Sequence, residues 1–431
     1  MMRIRDRLIK GATLNLIAVA FNQGSTLIIN IIVARILLKQ TFGEYAMVQS
    51  TLLTMATLSQ LSTGYTASKY IAEYRSSDSQ RVGRIIGLCA LVSAIMAGVG
   101  ALLLIGLAPW LTSNMLKAPH LASALMIGVG YLFFSSINGY QTGALSGLEA
   151  YGGLAKAGVV SGIVAVAAIS LGAWWGGLNG TLVGLSISAF VRCVIHNRWL
   201  RIETRMQGIK PQYRGSLSQE KAIVFKFALP AAIAGYYSMP MIWLANSFLV
   251  RQPGGYGEMA LYSAANSFRI LVLFLPNTMN SVGLSILNNE KAKRDMAHYR
   301  RVYKSNVRHI FFVSLGSAFV MGVFGRHILQ LFGKDFGTGR FLLWILLVSA
   351  IFDGLSIALY QYVQSQAKIW LSFFSIHIPR EAFFVVMAYF FVQSYKGAGL
   401  AIAYTGSAIL GLILHFSLVA FLYRKECKEL G

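Results

Sequence analysis

The sequence predicts an all-α, polytopic membrane protein of about twelve transmembrane helices in two six-helix lobes, 1–208 and 209–431, with both termini cytoplasmic. Three observations carry this expectation. Of 431 residues, 56% are hydrophobic and 12% charged, whereas charged residues make up roughly a quarter of a soluble domain. The apolar residues gather into twelve stretches, each near the ~20 residues a helix needs to cross the hydrocarbon core. Of the 38 Lys and Arg residues, 28 fall on one side of those stretches, and positive charge is retained on the cytoplasmic side of membranes.

Taken in order, the expected spans are 12–34, 43–66, 85–109, 121–146, 157–175 and 180–197, then 227–250, 256–282, 309–331, 341–366, 370–393 and 397–422. The basic residues of Met1 to Lys10 before the first span resemble the start of a secretory signal, and Ala18-Val19-Ala20 resembles a cleavage site. The apolar run continues through Ile36, however, and removing it would leave an odd number of spans, so it is the uncleaved first helix. Arg75, Arg81 and Arg84 lie between the second and third spans, and eight basic residues from Arg192 to Lys226 fill the long central loop. The opposite side holds only Arg35, Lys39, Lys117, Arg251, Arg326, Lys334, Arg340 and Lys396.

Gly43-Glu44-Tyr45-Ala46-Met47 opens the second span and Gly257-Glu258-Met259-Ala260-Leu261 the eighth, an offset of 214 residues. This echo points to duplication, with the two halves in one orientation and related by an axis along the membrane normal.

The net charge of +23 is divided among loops between apolar stretches, which excludes a basic nucleic-acid-binding domain. Cys89, Cys193 and Cys427 are odd in number and far apart, so no disulfide framework is expected. No phosphate-cradling Gly-x-x-x-x-Gly-Lys-Ser/Thr occurs. No outer loop is long enough for the acidic catalytic residues of a membrane glycosyltransferase or polymerase. Transport without a bound cofactor, coupled to protons or sodium ions, is the expectation.

Ionisable groups at membrane depth are costly and mark pathways or pairs, and the basic residues left over by the sidedness count are Arg269 and Arg380. Tyr262, Asn266 and Arg269 share one face of the eighth span, with Asn277 and Asn280 extending it beyond an expected break at Pro276. Arginine suits phosphate because its planar fork donates two parallel hydrogen bonds and stays charged when partly desolvated. The alternative is an arginine neutralised by a carboxylate on a neighbouring helix. Asn15, Asn22, Gln23, Thr26 and Asn30 lie within about 100 degrees on the first helix, suited to sugar hydroxyls or to interhelical hydrogen bonds.

In the tenth span Ser349, Asp353, Ser356, Tyr360 and Gln364 share a face. Asp353 is either an ion-coupling carboxylate or the counter-ion of Arg269 or Arg380, and the two roles are compatible. The eleventh span carries His377, Pro379, Arg380 and Glu381; Pro379 bends the helix, and Glu381 is a second candidate for ion coupling. Pro230 and Pro240, with Tyr236, Tyr237, Trp243 and Asn246 around them, predict a bent seventh helix. Gly143 to Gly147, Gly172 to Gly176 and Gly180 to Gly184 are spacings for close helix approach. Asn179-Gly180-Thr181 matches a glycosylation acceptor but is better explained as a turn.

The chain resembles the polysaccharide-transporter branch of the multidrug/oligosaccharidyl-lipid/polysaccharide (MOP) exporter superfamily, in particular Wzx-type O-antigen flippases. The resemblance rests on the basic amino terminus leading into a polar first helix, and on Ala34-Arg35-Ile36-Leu37 followed by Phe42-Gly43-Glu44-Tyr45-Ala46. It continues through Ser62-Thr63-Gly64 and Lys69-Tyr70-Ile71-Ala72-Glu73-Tyr74. It implies a MATE-like fold in a bacterial inner membrane. It also implies alternating-access transfer of an undecaprenyl-pyrophosphate-linked oligosaccharide, such as an O-antigen or lipopolysaccharide repeat unit, with polysaccharide assembly proteins as further partners. The alternatives are a cation-coupled multidrug exporter of the same fold and a membrane glycosyltransferase or polymerase.

Overall fold

The computed structural model describes residues 4–213, 220, 223, 228, 232, 235, 237–292, 296–366 and 368–429. Among these, every regular element is helical. Eight helical stretches are long and apolar enough to cross a membrane. Three of them change direction at a non-helical residue, at Leu38, at Gly176–Gly177 and at Lys396. Those breaks, together with the shorter apolar helix Ser238–Val250, accommodate the spans read from the sequence. The chain divides into two compact units, Met1–Pro240 and Met241–Gly431.

In unit 1, α1 (Ile4–Ser59) is followed by α2 (Thr63–Tyr74), α3 (Ser79–Trp110), α4 (Leu121–Ile127), α5 (Val129–Gly147) and α6 (Tyr151–Met206). The second predicted span ends at Ser59 rather than 66, because Leu61 and Ser62 take positive φ before the chain restarts as α2. Asp78 caps α3 by accepting a hydrogen bond from the Arg81 amide at 2.8 Å. The two arms of α6 fold back on each other, and a Cβ at Gly172 or Gly184 would collide with the carbonyl of Gly180 or Ala168. Likewise Gly143 lies against Gly64 of α2. Gly143, Gly147, Gly172, Gly180 and Gly184 therefore act as close-approach contacts, as expected, whereas Gly176 has open space around it. The turn expected at Asn179-Gly180 is instead made by Gly176 and Gly177, the latter at φ 54, and Asn179 lies inside the second arm. The core of this unit is built on Ile85, Ile86, Leu88, Leu145 and Ile71.

In unit 2, the order is α7 (Ser238–Val250), α8 (Gly255–Ala292), α9 (Met296–Val323), α10 (Gly325–Gln330), α11 (Arg340–Ser365), α12 (Ile369–Ser372) and α13 (Ile378–Glu429). The break expected at Pro276 does not occur, and α8 runs through that proline as one helix. Pro379 lies directly after the π-helical turn Phe373–His377, within helical backbone that runs on from Ile369, so the irregularity there takes the form of a π turn. Pro230 and Tyr236 lie outside the described residues. α13 folds back at Lys396, packing Gly399 against the Phe391 carbonyl and Gly411 against the Arg380 side chain. α8 and α13 both pack on α11, and that arrangement sets the candidate site.

Candidate functional site

The site is built by three elements of unit 2. α8 presents Tyr262, Asn266 and Arg269 on one face, α11 presents Asp353, and the two arms of α13 present Arg380 and Tyr404 to each other. Arg269 retains only 9% of its accessible surface and Asp353 only 6%, so neither charge is solvated by bulk water.

Asp353 pairs with both arginines at once, which is the counter-ion arrangement of the two roles expected of it. Arg269 donates from Nη1 to Asp353 Oδ2 at 2.9 Å, and Arg380 donates from Nη2 to Oδ1 at 2.8 Å. Tyr404 completes the cluster: its hydroxyl accepts from Arg269 Nη1 at 3.1 Å and Arg380 Nη2 at 3.5 Å, and donates to Asp353 Oδ2 at 3.2 Å. Its ring lies 4.3 Å from the Arg269 guanidinium carbon, a cation–π distance. Phe384 stacks edge-on against that ring at 5.4 Å. Arg269 Nε donates to Asn266 Oδ1 at 2.8 Å, a contact that the i, i+3 spacing on α8 makes possible.

Two guanidinium groups thus share the Asp353 carboxylate, and Glu381, buried next to Arg380, adds a second carboxylate within electrostatic reach of Arg380 and Tyr404. A charge pair 4 Å apart is worth about 4 kcal/mol at an effective dielectric near 20, so a carboxylate that attracts two cations also offsets their mutual repulsion. The buried Nε of Arg380 has no hydrogen-bond partner, leaving a donor available at the cluster. Chemically, the arrangement can hold an anion, and a proton on Asp353 would loosen both arginines together.

The other predicted residues are placed as follows. Tyr262 is buried next to the cluster on α8, and Glu381 is buried beside Arg380 on α13. Asn277 turns its amide back to the Leu273 carbonyl at 2.9 Å. Ser349 bonds to its own helix, while Tyr360 packs with His377 and His415 at ring separations of 5.7 and 5.6 Å. The amides of the first helix belong to unit 1, where Asn22 is exposed and Gln23 and Asn30 are half-buried. Tyr404 was not among the residues the sequence singled out, since nothing in an apolar helix with one more tyrosine marks it. Nor was Arg192, which falls within the sixth predicted span but was counted with the central loop.

The family model for polysaccharide biosynthesis proteins matches residues 8–284. Residues of this chain are 27% identical, over 158 positions, to the EPS I polysaccharide export inner membrane protein EpsE of Ralstonia nicotianae, and 24% identical over 164 positions to that of Ralstonia solanacearum. The matched segment spans 36% of this chain and 36% of each relative. The fold is similar to that of a multidrug resistance MATE family transporter of the MOP superfamily, solved in an inward-facing conformation, with a TM-score of 0.76 at 15% identity, covering 95% of this chain and 98% of the other. The eukaryotic MATE transporter AtDTX14 superposes with a TM-score of 0.72 at 15% identity, covering 97% and 96%. A MOP superfamily transporter from Pyrococcus furiosus superposes with a TM-score of 0.67 at 16% identity, again covering 97% and 96%.

Proposed function

The chain belongs to the polysaccharide biosynthesis protein family, and from that membership we propose that it is a polysaccharide exporter of the bacterial inner membrane, a transporter rather than an enzyme. The finer reading is a flippase that moves an undecaprenyl-pyrophosphate-linked oligosaccharide from the cytoplasmic to the periplasmic leaflet. The observation that carries it is a pair of arginines at membrane depth, the buried Arg269 and the half-buried Arg380, sharing the single carboxylate of Asp353.

A pyrophosphate diester is a compact anion whose oxygens accept the paired donors of a guanidinium fork. It competes with Asp353 for the two arginines, and the unpartnered Nε of Arg380 offers it a further donor. Asn266 and Tyr262 on α8, and the amides Asn22, Gln23 and Asn30 on α1, are suited to sugar hydroxyls. The lipid tail stays in the bilayer, where moving each CH₂ into water would cost about 0.8 kcal/mol. Asp353 is the coupling carboxylate in this scheme: a proton or sodium ion there weakens its hold on the arginines and frees them for substrate. Glu381, buried one residue from Arg380, is the second candidate.

A cation-coupled drug exporter of the same fold would draw cationic substrates to unpaired membrane carboxylates. Glu44, the acidic residue of the second predicted span, sits at the helix start beside His120 at 3.1 Å, and Asp353 is already paired twice. The test is deletion of the gene. Loss of surface polysaccharide, with lipid-linked oligosaccharide accumulating on the cytoplasmic leaflet and restored by the intact chain, is the expected result. Unchanged surface polysaccharide in the deletion strain overturns the proposal.

A further inference from the structure

A third arginine is held inside an apolar helix, in unit 1. Arg192 lies on the second arm of α6, on the stripe formed by Leu185, Ala189, His196 and Leu200, all of which are buried. The opposite stripe, Val183, Ile187, Phe190 and Val194, is exposed as a lipid-facing surface would be. Arg192 therefore points into the protein, and is not an arginine reaching out to the headgroups from the lipid side. From the turn at Gly177 it is 15 residues along the helix, or about 22 Å at 1.5 Å per residue, within a hydrocarbon core of about 30 Å.

What distinguishes Arg192 from Arg269 and Arg380 is its company. It forms no ion pair among the described residues, and its buried Nε has no hydrogen-bond partner. One turn away, His196 is 6% exposed and its Nδ1 lies 2.6 Å from the Asn138 amide nitrogen on α5. That amide donates, so Nδ1 is the acceptor and the remaining proton of the neutral ring is on Nε2. Asn138 also donates to Gln141 Oε1 at 3.4 Å. Arg192 as a whole is half-buried, with its Nε closed to solvent, and a cation so placed beside fixed neutral polar groups and without a counter-ion favours the approach of an anion.

We propose that Arg192, supported by His196 and Asn138, is a second anion-binding centre of this chain, confined to unit 1 and selective for a phosphate or pyrophosphate group. The assignment of the carrier pyrophosphate as its occupant rests on the proposed function. The site itself does not.

The experiment is calorimetric titration of inorganic pyrophosphate into the full-length protein in phosphatidylcholine nanodiscs, repeated in discs containing phosphatidylglycerol. Arg192→Gln is expected to lose one equivalent of bound pyrophosphate. Arg192→Lys, which keeps the charge but not the fork, is expected to retain it about tenfold more weakly. Both variants are expected to unfold at the wild-type temperature, which separates site loss from misfolding. Wild-type stoichiometry and affinity in Arg192→Gln overturn the site, as does the absence of pyrophosphate binding to the wild type. Arg192-dependent binding that disappears in phosphatidylglycerol discs identifies the occupant as an anionic phospholipid and overturns its assignment to the carrier. If Arg192→Gln binds normally while gene deletion abolishes surface polysaccharide, the Arg192 site falls and the proposed function stands; the reverse pair of results does the opposite.

Discussion

The hydrogen-bond pattern around Asp353 decides what its removal should do. Its two oxygens hold guanidinium groups from two helices, with Tyr404 as the third partner of the same charge. Asp353→Asn leaves the buried Arg269 and the half-buried Arg380 without the carboxylate they share, and breaking a buried pair in this way costs about 3–5 kcal/mol. The variant should unfold at a markedly lower temperature in detergent. The double variant Asp353→Asn/Arg380→Gln should recover part of the loss, because it removes one of the stranded charges. Equal unfolding temperatures for wild type and Asp353→Asn would show that the cluster is not held by this carboxylate. The charged members were legible in the sequence because Arg and Asp at membrane depth are rare enough to stand out. Tyr404 was not legible, since only the fold-back of α13 brings it to Arg380. Arg192 was obscured by the basic segment that follows it, where its position inside a predicted span was the available signal.

At the scale of elements, hydropathy located the apolar stretches, and the glycine spacings located the tight contacts within α6 and between α2 and α5. The turns were less legible, because two of them are made by residues with no preference for positive φ. Gly177, at φ 54, is a residue type that accepts a left-handed backbone freely. Leu38 adopts φ 63 and ψ 172, and Lys396 adopts φ 48 and ψ −124. Such conformations cost a non-glycine residue about 1–3 kcal/mol. Leu38 is also 71% exposed, so its side chain contributes little packing to offset that cost. Leu38→Gly is therefore expected to raise the thermal unfolding midpoint in detergent, by an amount corresponding to about 1 kcal/mol. A lowered midpoint would mean that the Leu38 side chain stabilises the turn through contact with lipid or detergent. Pro276 was misjudged for a related reason, since a proline signals a broken helix in sequence but is tolerated in membrane helices whose neighbours satisfy the freed carbonyl.

Across the whole molecule, the same local order recurs in both halves. The echo motifs follow a turn in each case, Leu38 before Gly43 and Gly254 (φ 73) before Gly257, and their Ala46 and Ala260 are both buried. Each unit also closes on a long helix folded back on itself, at Gly177 in one and at Lys396 in the other. The halves differ chemically in their membrane charges, one holding Arg192 and the other the Arg269–Asp353–Arg380 cluster. The proposed transport of an anionic lipid-linked sugar rests on that cluster, whereas the fold alone is shared with MATE transporters. The most direct measurement is surface polysaccharide display in a deletion strain carrying Arg269→Ala, normalised to the abundance of the protein in the membrane. Display should be abolished at wild-type abundance. Normal display in the Arg269→Ala strain would contradict a role for this arginine in recognising the substrate.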